Sequence, residues 1–149
     1  MNAGAVHRLA TLADAKRLFE LRRKSILALA PQGMPVAHAE AWAADLTAVG
    51  MKRKLRDLEI WIAALNGTVV GWGAIRGDRL EGLYTDPDFA GRGIGTALLG
   101  LLEALMRERG IPVVCADSSA NAEAFYLRRG YTRNGPQTPE GALPITKPL

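Results

Sequence analysis

Residues 80–99 read Leu80-Glu81-Gly82-Leu83-Tyr84-Thr85-Asp86-Pro87-Asp88-Phe89-Ala90-Gly91-Arg92-Gly93-Ile94-Gly95-Thr96-Ala97-Leu98-Leu99. Leu80 to Thr85 is a strand candidate, Asp86-Pro87 breaks it, and a glycine-punctuated loop leads into a helix predicted over Thr96 to Arg109. On that helix Leu98, Leu99, Leu102, Leu105 and Met106 share one face, Arg107 and Arg109 stand near the C-terminal end, and Gly110 suits the C′ position. The first backbone N–H groups of a helix have no intrahelical partner. Glycines let the chain curl close to a ligand with successive N–H groups turned inward, and the partial positive charge of the helix start adds attraction for phosphate. Gly91, Arg92, Gly93, Ile94, Gly95 and Thr96 therefore form a candidate pyrophosphate cradle. Arg92 is either a charge-assisted contact or an ordinary solvated residue, and glycines in such a turn can also serve tight packing alone. No Gly-Lys-Ser/Thr follows, which excludes a Walker A loop, and the spacing G-x-G-x-G lacks the last interval of a dinucleotide-binding fingerprint.

Upstream of this segment lies the clearest hairpin. Glu59 to Leu65 is rich in β-branched and aromatic residues, Asn66-Gly67 supplies a two-residue turn of the I′ kind, and Thr68 to Ile75 returns. Arg76, Gly77 and Asp78 then turn into the strand that ends at Thr85, so three strands meander in antiparallel order. Further toward the N-terminus, Ala5 to Leu9 is a short opening strand. A helix follows over about Asp14 to Leu29, its inner side carrying Ala15, Leu18, Phe19, the Arg22 stem, Ile26 and Leu29, with Lys16, Arg17, Arg23 and Lys24 toward solvent. Pro31 to Pro35 is expected to stop it. A second helical pattern runs through Ala39, Trp42, Ala43 and Leu46 until Gly50, and Lys52 to Arg56 reads as a solvated turn or helix end.

Downstream, Val113 to Ala116 is a short apolar strand, expected to be central and covered on both faces. Ser119 or Asn121 can cap a last helix bearing Phe125, Tyr126 and Leu127, which Gly130 stops. Tyr131 onward and Leu143 to Lys147 are the final strands, separated by the Pro- and Gly-rich loop Gly135 to Gly141. The order of elements predicts one α/β (α+β) domain over residues 1–149, with no internal repeat.

Composition narrows the function classes. With 149 residues, 48% of them hydrophobic and 23% charged, the chain suits one folded core, and collagen-like or wholly disordered states lose support. Its longest apolar runs fall far short of the ~20 residues that span a bilayer, and the first residues lack the apolar core of a signal peptide, so no membrane partner is expected and the cytoplasm is the expected compartment. The single cysteine, Cys115, rules out an intrachain disulfide or a cysteine zinc cage, and its apolar neighbours make it a small buried hydrophobe; no metal site is expected. A net charge of +4, concentrated in the first 56 residues, favours anionic ligands but carries no zinc-finger or RRM-type signature.

Residues 80–99 together resemble the acetyl-CoA-binding segment of the GCN5-related N-acetyltransferase (GNAT) superfamily: strand, Asp-Pro turn, loop and helix. That family's loop begins with Gln or Arg, followed by two residues, Gly, one residue, and Gly or Ala. Gly93 and Gly95 take the two small positions, while the leading position is Ala90, which removes a side-chain contribution but leaves the backbone amides. Asn121 to Tyr131 is similar to the family's A-x-x-F-Y-x-x-x-G-F/Y helix. Phe125 is read as core, and Tyr126 matches the tyrosine placed beside the CoA sulfur. Ser119 occupies a position that is often Asn in the family; it and Asn121 either reach the cofactor or cap the helix. The resemblance implies a mostly antiparallel central sheet flanked by about four helices, acetyl-CoA as donor, and direct attack of an amine on the thioester.

At pH 7 only about one alkylamine in two thousand is neutral, so a base must remove a proton before or during attack. Glu81 is the candidate, on the strand that in the family follows the pantetheine arm, with Leu80 and Leu83 expected to desolvate it; a cross-strand pair with an arginine is its other reading. Tyr126 is the candidate acid for the leaving thiolate, its reference pKa near ~10 being close to the ~8.5 of a thiol; its other role is to orient the sulfur. The resemblance places Leu83, Tyr84 and Thr85 along the cofactor, with a backbone N–H meeting the oxyanion. No Cys-His or Ser-His pair offers a covalent relay.

For the acceptor, the resemblance points to Pro31 to Trp42 facing Gly135 to Gly141. Trp42 either stacks on substrate or closes the core, Glu40 and Asp45 can attract a cation, and a small-molecule or peptide amine is expected without further identity. The main rival is a catalytically silent acyl-CoA-binding sensor or protein-interaction module, which needs neither Tyr126 nor Glu81. A nucleic-acid domain drawn by Lys52 to Arg56 is a third, and a homodimer through the late strands is open by analogy.

Overall fold

The computed structural model describes residues 4–33 and 47–149. Among them the chain runs β1 (Val6–Leu9), α1 (Ala15–Gly33), α2 (Ala48–Asp57), β2 (Glu59–Leu65), β3 (Thr68–Arg76), β4 (Arg79–Thr85), α3 (Ile94–Glu108), β5 (Val113–Ser118), α4 (Glu123–Leu127), β6 (Thr132–Arg133) and β7 (Leu143–Pro148). The strands form one sheet in the order β1-β2-β3-β4-β5-β7-β6. Every neighbouring pair is antiparallel except β4 and β5, which α3 joins in parallel. This is the mixed, mostly antiparallel α+β sheet expected from the sequence.

The β2–β3 hairpin forms as its turn residues dictate: Asn66 has φ 50° and Gly67 φ 81°, the two positive angles that a I′ turn requires. β3 is the covered strand, with all seven residues from Val69 to Ile75 buried. Leu18, Leu21, Met51 and Trp72 pack on one face of the sheet, and Leu99, Leu102 and Met106 of α3 pack on the other. α3 sits close against β3 because that strand has no side chain at two positions. A Cβ on Gly73 would stand 2.7 Å from Leu102 Cδ1, and one on Gly71 3.0 Å from Ile94 Cγ2.

Several expectations are corrected. α1 runs past Leu29 and ends at Gly33, inside the Pro31 to Pro35 segment expected to stop it, because a proline's missing N–H costs only one late helical bond. Arg17 does not face solvent; it donates to Val69 O at 2.7 Å and pairs with Asp86 at 2.8 Å. Gly50 does not end a helix but lies in the first turn of α2, because the Thr47 hydroxyl accepts its N–H at 2.9 Å and caps the new helix there. Lys52 to Arg56 accordingly belong to α2. β5 is central but not covered on both faces: Val114, Ala116 and Ser118 are buried while Val113 is exposed and Cys115 half-buried, as on a strand with one packed side. Cys115 is thus not a core residue. Residues 34–46, among them Glu40, Trp42 and Asp45, lie outside those described.

Asp86, at the end of β4, is 2% exposed and fixes the loop before α3. It caps the turn that follows by accepting Asp88 N–H at 3.0 Å, and pairs with Arg17 at 2.8 Å and Lys24 at 2.9 Å, both on α1. At the other end, buried Tyr131 donates to Glu103 at 2.7 Å and Lys147 reaches the same carboxylate at 2.9 Å, joining α3, the end of α4 and β7.

Candidate active site

β4 and β5 pair at two positions alone, Arg79 with Cys115 and Leu80 with Ala116. Beyond them β4 stays with β3 as far as Thr85, and β5 stays with β7 as far as Ser118. Strands held by opposite neighbours part into a wedge, so among the described residues no strand covers the outer edge of β4 from Leu83 to Thr85. A cleft of about 220 Å³ opens there. Glu81, Leu83 and Tyr84 line it from β4, Ser118, Ser119 and Asn121 from the end of β5, Tyr126 from α4, and Arg22, Ser25 and Ile26 from α1.

The glycine loop stands at the end of β4. Gly91 and Gly93 have φ 79° and 77°, and Gly93, in the left-handed region, is the N-cap residue of α3 with no side-chain cap. Helical bonding starts with Ala97 N–H on Gly93 O at 3.0 Å, which leaves the amides of Ile94, Gly95 and Thr96 without a partner inside the helix. Gly95 has a different task from Gly93: a Cβ there would meet Thr85 Oγ1 at 3.3 Å and the Phe125 ring at 3.6 Å. Its absence brings the first turn of α3 down onto the end of β4 and onto α4. Arg92 is exposed and lies over the Phe89 ring, 5.1 Å from its centroid.

A free strand edge running toward a helix start with free amides fits the two halves of coenzyme A. An extended arm with amide groups can pair with β4, and a diphosphate can meet the N–H groups of α3.

Tyr126 is 8% exposed, its ring edge-on to Phe125 at 5.2 Å and to Tyr131 at 5.3 Å. Burial, with the nearby Tyr84 adding to it, pushes its hydroxyl well above the usual phenol range. That shift widens the gap from a thiol's acidity and favours the protonated phenol, the form that can donate to sulfur. Phe125 packs against the core as expected. Ser119 accepts Ala122 N–H on its hydroxyl at 3.3 Å and on its carbonyl at 3.1 Å, so it shapes the turn before α4, whose N-cap position is Ala122.

Glu81 occupies a β-bulge: Ala74 pairs with Gly82 and Ile75 with Leu80, so Glu81 has no partner in β3. Leu80 and Leu83 pack with Leu99 and Leu102 on the α3 side, while the Glu81 carboxylate, 34% exposed, lies 3.8 Å from Arg79 Nε. Leu80 and Leu83 border the same cleft but leave the Glu81 side chain about one-third open to solvent, so they do not bury it as expected. Its arginine partner is on its own strand rather than across the sheet.

Two cationic contributions escaped the sequence reading. Arg129, on the turn after α4, donates to the Thr96 hydroxyl from Nε at 3.1 Å and from a terminal nitrogen at 2.6 Å, and its guanidinium lies 3.7 Å from the Phe125 ring centroid. It thereby stands beside the first turn of α3. Arg22 projects from α1 into the cleft over the Tyr84 ring, 5.6 Å from its centroid. The inward placement of its stem was the available signal.

A sheet parted beside a glycine-capped helix, with Tyr126 lining the wedge, suits an acyl-CoA donor. The acetyltransferase (GNAT) family profile matches residues 16–131, and the chain belongs to that family of acetyl-CoA-dependent enzymes. Among individual proteins, the uncharacterized N-acetyltransferase YafP of Escherichia coli is 27% identical over 118 residues, covering 79% of this chain and 75% of that one. The crystal structure of a GCN5-related N-acetyltransferase from Rhodopseudomonas palustris superposes with a TM-score of 0.87 at 31% identity, covering 97% of this chain and 96% of that one. The PaiA N-acetyltransferase of Thermoplasma acidophilum, crystallised with coenzyme A, shares the fold with a TM-score of 0.83 at 19% identity, covering 98% and 99% of the two chains.

Proposed function

We propose that this chain, as one domain spanning residues 1–149, transfers an acetyl group from acetyl-CoA to a primary amine by direct attack. The observation that carries the reading is the wedge between β4 and β5, with the α3 amides at one end and the Tyr126 hydroxyl inside it. Bound acetyl-CoA supplies an activated acetyl group, whose C–S bond breaks as the C–N bond to the acceptor forms. The amides of Ile94, Gly95 and Thr96, with Gly91, Arg92 and Gly93 shaping the loop and Arg129 beside it, hold the diphosphate. The edge of β4 at Leu83, Tyr84 and Thr85 aligns the arm and presents a backbone N–H to the oxygen that gains charge.

Glu81 takes the proton that the acceptor ammonium must lose, directly or through one water, and its exposed side returns that proton to solvent. Tyr126, favoured in its protonated form by burial, donates a hydrogen bond to the departing sulfur. Since its acidity is below that of a thiol, the proton that ends on sulfur is drawn from solvent rather than kept from the phenol. Ser119 and Asn121 border the arm. The acceptor, a small molecule or a peptide amine, enters from the α1 side; Trp42, outside the described residues, stays a candidate contact from the sequence alone.

The reading places the enzyme in the cytoplasm; among the described residues no helix is long and apolar enough to cross a membrane. The test is calorimetry with coenzyme A, followed by thiol release from acetyl-CoA in the presence of an amine library. Binding with amine-dependent thiol release supports it; binding without release from any amine selects the silent sensor, and no binding overturns both.

A further inference from the structure

Arg22 lines the cleft without a carboxylate of its own among the described residues. Arg8, Arg17, Arg79, Arg109 and Arg133 each hold a carboxylate oxygen at 3.0 Å or closer. Arg22 Nε is out of contact with water and, among the described residues, has no hydrogen-bond partner. A buried N–H of a charged group left unpaired is costly, and an acceptor oxygen that draws the guanidinium further into the cleft it lines removes that cost. Lys54 of α2 adds a second cation: burial, and then the Arg22 charge, lower its pKa, while Glu81 works in the opposite direction, so the three charges share one neighbourhood. Glu81 itself already faces Arg79 at 3.8 Å. Among the described residues, the cations Arg22, Lys54 and Arg79 outnumber the carboxylates Glu81 and Asp117 here, Arg79 being held by Asp117 at 3.0 Å, and the Arg22 guanidinium is a planar fork suited to a carboxylate.

Resting on the acetyltransferase reading above, we infer that the acceptor is an amine that also carries a carboxylate, an amino acid in the broad sense. Arg22, with Lys54 behind it, holds the carboxylate, and the amino group is directed toward Glu81 and the wedge. The ammonium first loses one proton to solvent by way of Glu81; the neutral nitrogen then bonds to the acetyl carbon, the C–S bond breaks, the nitrogen sheds a second proton to solvent, and the sulfur gains one from solvent. The acceptor's carboxylate is unchanged.

The experiment compares the full-length enzyme on amino acids, their carboxamides and their decarboxylated amines, with thiol release from acetyl-CoA as readout and coenzyme A affinity measured alongside. The expected result is a kcat/KM about 10- to 100-fold higher for the acids, the size of a charge-assisted pair. In Arg22→Met the ratio of acid to amide falls toward one, and in Arg22→Lys it recovers in part. Equal turnover of acids and amides by the unaltered enzyme, or acetylation confined to amines without a carboxylate, overturns the inference while coenzyme A binding and thiol release still uphold the transferase. Absence of coenzyme A binding instead removes the transferase reading itself.

Discussion

Arg129 grips the Thr96 hydroxyl through two donors, at 3.1 and 2.6 Å, and so ties the turn after α4 to the first turn of α3. Those two elements bracket the helix start whose amides face the glycine loop. The contact sets the position of Thr96 and brings a cation to a place where the helix already favours negative charge.

Arg129→Ala should therefore raise the Kd for coenzyme A about tenfold, corresponding to ~1.4 kcal/mol. Dephospho-coenzyme A should lose as much if the contact is to the diphosphate. Calorimetry on both ligands decides the matter; an unchanged Kd would confine Arg129 to joining the two helices.

Gly93→Ala places a Cβ on a residue with φ 77°, at a cost of about 1–2 kcal/mol. Urea unfolding should show that loss, and coenzyme A affinity should fall with it because the α3 amides turn with the cap. Gly100→Ala is the control: it lies in the same helix with no atom near the added carbon. It should keep or slightly raise stability, through better helix propensity.

Tyr126→Phe removes the proposed donor to sulfur while keeping the ring packing against Phe125 and Tyr131. A drop in kcat of about 10- to 100-fold with coenzyme A affinity intact is expected. Turnover equal to that of the parent enzyme would sink its role.

For Glu81→Gln the informative quantity is the pH dependence of kcat/KM. With the carboxylate gone, the acceptor must reach the site already neutral, so the profile should move to higher pH. An identical profile would assign the proton to another acceptor.

Acid should unfold the protein through Asp86. Burial alone would raise its pKa, but hydrogen bonds from Arg17 and Lys24 outweigh that and hold it below the ordinary 3.8. A carboxyl whose pKa is lower folded than unfolded contributes stability above the unfolded value, and that contribution is lost as pH falls through the folded one. Melting temperature should thus be flat from neutrality to about pH 5 and decline below about pH 4. Asp86→Asn should cost about 1–3 kcal/mol at pH 7, the partners being partly solvated, and should flatten the acid decline.

Local chemistry made much of this legible. Asn66-Gly67 determines its turn by backbone sterics, Leu98 to Met106 mark α3 by period, and Gly93 with Gly95 mark the loop, because each signal depends on residues a few positions apart. The reading of Gly50 as a terminator failed because Thr47, through a capping hydrogen bond, decides that helix start. Val113 to Ala116 looked covered on both faces because apolar identity does not say which side of a strand meets a helix. The bulge at Glu81 is a mismatch between β3 and β4, invisible in either strand alone.

By itself, then, the chain's order of residues determined the hairpin, the glycine-capped helix and the family to which they belong, all of them matters of short-range geometry. Tertiary structure alone decided where β4 and β5 separate, that Arg129 meets Thr96, and that Arg22 enters the cleft without a carboxylate partner among the described residues. Those relations depend on the packing of elements distant along the chain, which fixes where charges and strand edges remain unpaired.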